Sequence, residues 1–176
     1  MHSINFTTRV VEINGWQIII LPKDASSKLP SRGQAMVKGT INGTSFQTPL
    51  EPDGKGSHWF KLDSKLVTKL SIKTGDKIIL DFDIVKDWPN PEVPKDVMSA
   101  IESSKSVHAL WQDITPLARW EWVRWIRSTG RDETRKRRIE VACSKLSKGM
   151  RRPCCWNRNL CTEPSVSKNG VLIDPN

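Results

Sequence analysis

Gln34–Ile41 and Thr44–Leu50, joined by Asn42-Gly43, form the stretch on which the fold is read. Both flanks are rich in β-branched and apolar residues, and Asn-Gly is the pair that most readily takes two successive positive φ angles. A tight antiparallel hairpin follows. The same signal occurs upstream, where Asn14-Gly15 separates Thr7–Ile13 from Trp16–Ile20. Downstream, Pro52-Asp53-Gly54-Lys55-Gly56 turns the chain into a short strand, His58–Leu62. Lys77–Val85 then alternates strictly, with Ile78, Leu80, Phe82 and Ile84 on one face and Lys77, Asp81 and Asp83 on the other.

Two short helical turns interrupt the strands. Asp24–Leu29 reads as one, with Asp24 as its cap, and Asp63 caps an amphipathic helix carrying Leu66, Val67 and Leu70. Six short strands and two short helices before residue 89 predict a small, partly open β-barrel over 1–88, because a flat sheet would expose long edges. Trp88-Pro89-Asn90-Pro91-Glu92-Val93-Pro94 predicts a proline-rich linker over 89–94.

Beyond it the period changes from two to about 3.6. Residues 95–112 predict one or two short helices, with Val97, Ile101, Val107, Leu110 and Trp111 apolar. Thr115-Pro116 is a helix start, and Gly130 its expected left-handed stop. Asp132 is expected to cap a second long helix ending at Gly149, with Ile139, Ala142, Cys143 and Leu146 as its apolar stripe. The fold class is therefore α+β: a barrel, a helical module over 95–150, and an irregular cysteine-containing tail over 151–176.

Charge is unevenly placed. Of a net +9, residues 1–88 contribute +3, residues 89–118 −2, and residues 119–176 +8. A concentrated excess of this kind suits an anionic partner such as nucleic acid, although a basic face more often serves solubility. On a helical wheel from Ala118, Trp122, Trp125 and Ile126 face inward while Trp120, Arg124 and Arg127 face outward. Arg119, Trp120, Arg124, Arg127, Arg131, Arg135 and Arg138 are thus the candidate anion contacts, the tryptophan stacking on bases and the guanidinium groups meeting phosphates. The competing expectation is that Trp120 packs against the barrel beneath the arginines.

Cys154, Cys155 and Cys161 are a candidate zinc site, with His58, His108 or Cys143 as a fourth ligand, but the spacing is not a CxxC pair. Cys143, on the apolar stripe, reads as a small buried hydrophobe. No histidine falls in a metal-ligand spacing and no glycine-rich phosphate loop is present, so the chain is expected to be no enzyme and to need no cofactor. The N-terminus has no signal-like basic and apolar segments, and its longest early apolar run is Ile18–Leu21. A cytoplasmic protein with reduced thiols and no membrane insertion is expected.

Leu21-Pro22, Val37–Gly43, Thr48-Pro49-Leu50 and Gly75-Asp76 resemble a small domain of unknown function. Trp125-Ile126, Glu133-Thr134-Arg135 and Arg138-Ile139 resemble the helical domain of the YdeI/OmpD-associated, or bacteriocin-protection, family, which that domain commonly precedes. The resemblance covers residues 6–150 and implies a bacterial or archaeal barrel with a helical extension. It carries over no catalytic residue. The chain departs from it at Thr129-Gly130, where the family usually has a small residue and a lysine. Taken with the charge distribution, the expected function is a non-enzymatic binding or stress-tolerance protein presenting a basic helical surface to an anionic partner such as nucleic acid. The alternatives are a protein-interaction factor in antimicrobial-peptide or envelope tolerance, and a small-molecule or metal-binding barrel.

Overall fold

The computed structural model describes residues 3–153 and 161–175. They divide into two compact units: residues 3–87 with 166–175, and residues 88–153 with 161–165.

The first unit is a curled half-barrel of seven antiparallel strands: β1 (Ile4–Arg9), β2 (Val11–Ile13), β3 (Trp16–Ile20), β4 (Ala35–Ile41), β5 (Thr44–Pro52), β6 (His58–Lys61) and β7 (Lys77–Ile84). Their order across the sheet is β1-β7-β4-β5-β6-β3-β2. Both Asn-Gly hairpins form, with φ of 48° and 79° at Asn14-Gly15 and 47° and 80° at Asn42-Gly43. The expected single strand Thr7–Ile13 is in fact two. Val10, 1% exposed, donates to Asp76 O and accepts from Gly75 N, so the chain leaves its β7 partner there and goes on to pair with β3.

At Gly39 on β4 the neighbouring strand β7 comes very near. A Cβ at this position would lie 2.0 Å from Asp81 O on β7, so only glycine fits. The two short helices are α1 (Lys23–Ser27) and α2 (Ser64–Leu70). Asp63 caps α2 through Lys65 N and Leu66 N, as expected. Asp24 does not cap α1: it lies inside the first turn, and Pro22 holds the cap position without a side-chain bond.

Ile19, Val37, Leu50, Phe60, Ile78, Leu80 and Phe82 form the core inside the curl. A second, smaller core lies on the opposite face of β3 and β6, where Ile13, Ile18 and Trp59 pack with Val166 and Leu172. Consecutive residues, Ile18 with Ile19 and Trp59 with Phe60, are therefore buried on opposite faces of their strands. The cover comes from a C-terminal hairpin, β8 (Ser167–Lys168) and β9 (Val171–Leu172), in a segment expected to be irregular. Leu172 N bonds Asp53 O, and Gly170 O approaches so near Gly54 that a Cβ there would lie 2.4 Å away.

The second unit contains α3 (Lys95–Glu102), α4 (Lys105–Asp113), α5 (Pro116–Arg127) and α6 (Asp132–Ser147). Val97, Ile101, Val107, Trp111, Trp122, Ile126, Ile139, Ala142 and Leu146 are its core. Thr115 caps α5 through Ala118 N with Pro116 in the first turn, and Gly149 follows α6 with φ 85°. Two expected helix boundaries differ. Helix α5 stops at Arg127 and Gly130 takes no positive φ, while Arg131 rather than Asp132 occupies the cap position of α6.

The predicted linker also differs. Trp88 meets Trp120 edge-on with ring centroids 6.1 Å apart, Pro91 is buried, and Trp120 Nε1 donates to Pro89 O at 2.8 Å. Residues 88–94 thus pack as part of the helical unit, because an indole N–H and a guanidinium supply donors to a segment poor in its own. None of the described helices is long and apolar enough to cross a membrane.

Candidate functional site

Short helices leave their last carbonyls without intrahelical partners. In the helical unit, arginines fill much of this gap. At the end of α4, Leu110 O accepts from Ile114 N. Arg119 Nε donates to Trp111 O at 2.9 Å, and its Nη2 to Gln112 O at 2.8 Å. Arg151 Nη2 donates to Asp113 O at 2.9 Å while its Nη1 pairs with the Asp113 carboxylate at 2.6 Å. All four terminal carbonyls of α4 are thereby satisfied, two of them by one guanidinium fork.

Helix α5 ends in the same way. Arg124 O accepts from Ser128 N, and Arg138 of α6 reaches back with Nη1 to Trp125 O and Ser128 Oγ, both at 2.6 Å. The Arg138 guanidinium also lies 5.4 Å from the Trp125 ring centroid. Positive charge at a helix C-terminus further opposes the negative end of the helix dipole.

The seven candidate anion contacts therefore occupy distinct places. Arg119 and Arg138 hold helix ends, and a third bond from Arg119 goes to Asn90 Oδ1. Arg135 forms a two-pronged ion pair with Asp96 on α3, at 3.0 and 2.9 Å. That hydrogen-bonded guanidinium holds the Asp96 carboxyl below its ordinary pKa. Trp120 is half-buried against Trp88. Arg127 is half-buried.

Arg124 corrects the helical wheel: expected outward, it is 7% exposed. Val123 is buried too, so α5 is covered around most of its circumference and has no single solvent face. Arg131 alone of the seven is exposed, and its exposed basic neighbours are Lys136 and Arg137, interspersed with Asp132, Glu133 and Glu140.

The cysteine proposal falls partly outside the described residues, since Cys154 and Cys155 lie there. Cys161 is buried, whereas Cys143 is half-buried at the edge of the helical core, where burial pushes its thiol above its ordinary pKa. Among the described residues no group of three metal-ligating side chains comes together. His108 Nε2 meets Gln112 Nε2 at 3.2 Å.

His58 is engaged at both ring nitrogens. Its Nε2 lies 2.9 Å from Gly33 O and can only donate there, so in the neutral ring Nδ1 accepts from Ser26 Oγ at 2.7 Å. Burial lowers the His58 pKa, against the opposing pull of the Gly33 carbonyl and the Asp53 charge. This Ser–His pair was not legible in the sequence, because its members stand thirty-two positions apart with no motif between them. Ser26 and His58 are 3% and 1% exposed, so the pair fastens α1 and its following loop to β6 and offers no open nucleophile.

A curled antiparallel half-barrel and a unit of four short helices tied by their own arginines define a two-unit α+β protein. Residues 90–149 match the family model described as Bacteriocin-protection, YdeI or OmpD-Associated, and residues 6–81 match a Domain of unknown function (DUF1905). The helical unit is thus similar to the YdeI/OmpD-associated domain, and the half-barrel to the small domain of unknown function that precedes it. A search of curated proteins gave no match.

Proposed function

We propose that this protein is a non-enzymatic binding factor acting from the cytoplasm in tolerance to bacteriocins or related stress. The observation that carries this reading is the family match over residues 90–149, which spans all four helices of the second unit up to Gly149. The sealed Ser26–His58 pair supports a structural role for the chain's one close Ser–His arrangement among the described residues. Deleting the gene should sensitise the host to bacteriocins, and re-expression should restore tolerance. Unchanged sensitivity would count against the proposal.

A second reading, a polyanion contact, is favoured by the net +8 of residues 119–176. With Arg119, Arg135 and Arg138 engaged inside the unit, the contact would centre on Arg131, Lys136 and Arg137. Filter binding to DNA and RNA oligonucleotides across a salt series tests it. Affinity should fall steeply with salt, and each removed base should reduce the salt slope by about one. Absence of binding at low salt removes this reading.

A further inference from the structure

We infer that the half-barrel carries a groove for a small organic anion with a flat apolar body, of the aromatic carboxylate class. The groove lies between the start of β5 and helix α2, and its walls include Thr44, Phe46, Gln47, Lys65, Leu66 and Lys69. Its volume is about 320 Å³.

The floor is apolar and held in place. Phe46 is half-buried, stacked on Phe60 with centroids 5.6 Å apart and planes 15° apart, and edge-on to Phe82 at 6.3 Å. Leu66 is also half-buried and packs against the same core. A ring so supported presents a fixed surface to a flat ligand at little cost in conformational freedom.

The rim is cationic. Lys65 and Lys69 stand four residues apart on one face of α2, both exposed, and neither forms an ion pair with another described residue. Asp63 also lines the groove and directs a carboxylate oxygen at the backbone N–H groups of Lys65 and Leu66. Thr44, Ser45 and Gln47 add hydroxyl and amide groups beside the floor. An inorganic anion would meet the lysines and leave Phe46 uncovered. An uncharged aromatic would cover Phe46 and leave the lysines unmatched. Only a molecule with both parts uses the whole groove.

A ¹⁵N NMR titration of the full chain with sodium cinnamate tests this, with cinnamyl alcohol and inorganic phosphate as comparison probes. Cinnamate should shift resonances confined to 44–47 and 63–69 in the millimolar range. The Lys65→Ala/Lys69→Ala double variant, altered only at exposed positions, should bind at least about fivefold more weakly, and so should cinnamyl alcohol to the unaltered protein. Shifts elsewhere, no shifts, equal binding by the double variant, or the same shifts with phosphate alone would each overturn the inference.

Discussion

The two units solve the problem of unsatisfied backbone groups differently. In the half-barrel the strands pair with one another, so side chains are left to fill the interior. All four phenylalanines of the chain serve there, Phe6, Phe60 and Phe46 lying around Phe82 or one another. The helical unit has four helices, two of them of fewer than ten residues, and correspondingly many open helix ends. Trp111 and Trp122 lie in its core, and Arg119, Arg138 and Arg151 bond to helix-terminal carbonyls. A basic composition can thus be a consequence of short helices rather than of a charged ligand.

That contrast can be broken most forcefully at Trp122, which is fully buried, meets Trp125 edge-on and donates Nε1 to Arg151 O at 3.1 Å. Trp122→Ala should cost about 3–5 kcal/mol, read as a loss of helical circular dichroism at lower urea. In the barrel the sharpest change is the opposite, an added atom. Gly39→Ala places a Cβ against the β7 backbone and should cost about 1–3 kcal/mol, measured by the same denaturation. Asp63→Ala removes the α2 cap and should cost about 1 kcal/mol, without moving the transition of the helical unit.

Smaller effects sharpen the electrostatic side. His58 has a folded pKa below its unfolded value, so the unfolded chain binds a proton first as pH falls. Stability should be fully present above about pH 6.5 and decline as pH drops toward the folded value, then level off. His58→Gln should flatten that slope in a urea series at stepped pH. Replacing the exposed Arg131, Lys136 and Arg137 singly by Gln should change stability by no more than about 0.5 kcal/mol, whereas Arg138→Gln should cost about 1–3 kcal/mol through the lost carbonyl bond.

Strand and helix placement was legible where a local signal decides it. Asn42-Gly43 fixes a hairpin through φ, the alternation in Lys77–Ile84 fixes a face, and Asp63 and Thr115 cap helices within three residues. The candidate anion surface was less legible. A helical wheel assumes one wet face, and it cannot know that the end of α4 lies beside Arg119 or that α5 is covered around Arg124. The tail was read as irregular because a hairpin of two-residue strands has no periodicity to detect.

Sequence by itself determined the α+β class, the change of period after the proline-rich stretch, and the concentration of charge in the last third. Each of these depends on neighbours within a few residues or on a simple sum. Tertiary structure alone decided that residues 88–94 pack into the helical unit, that Val166 and Leu172 cover Trp59, and that three of the six candidate arginines, Arg119, Arg135 and Arg138, point to carbonyls and carboxylates within their own unit. Those outcomes depend on groups far apart in the chain, where a donor's partner is set by how elements pack and not by spacing.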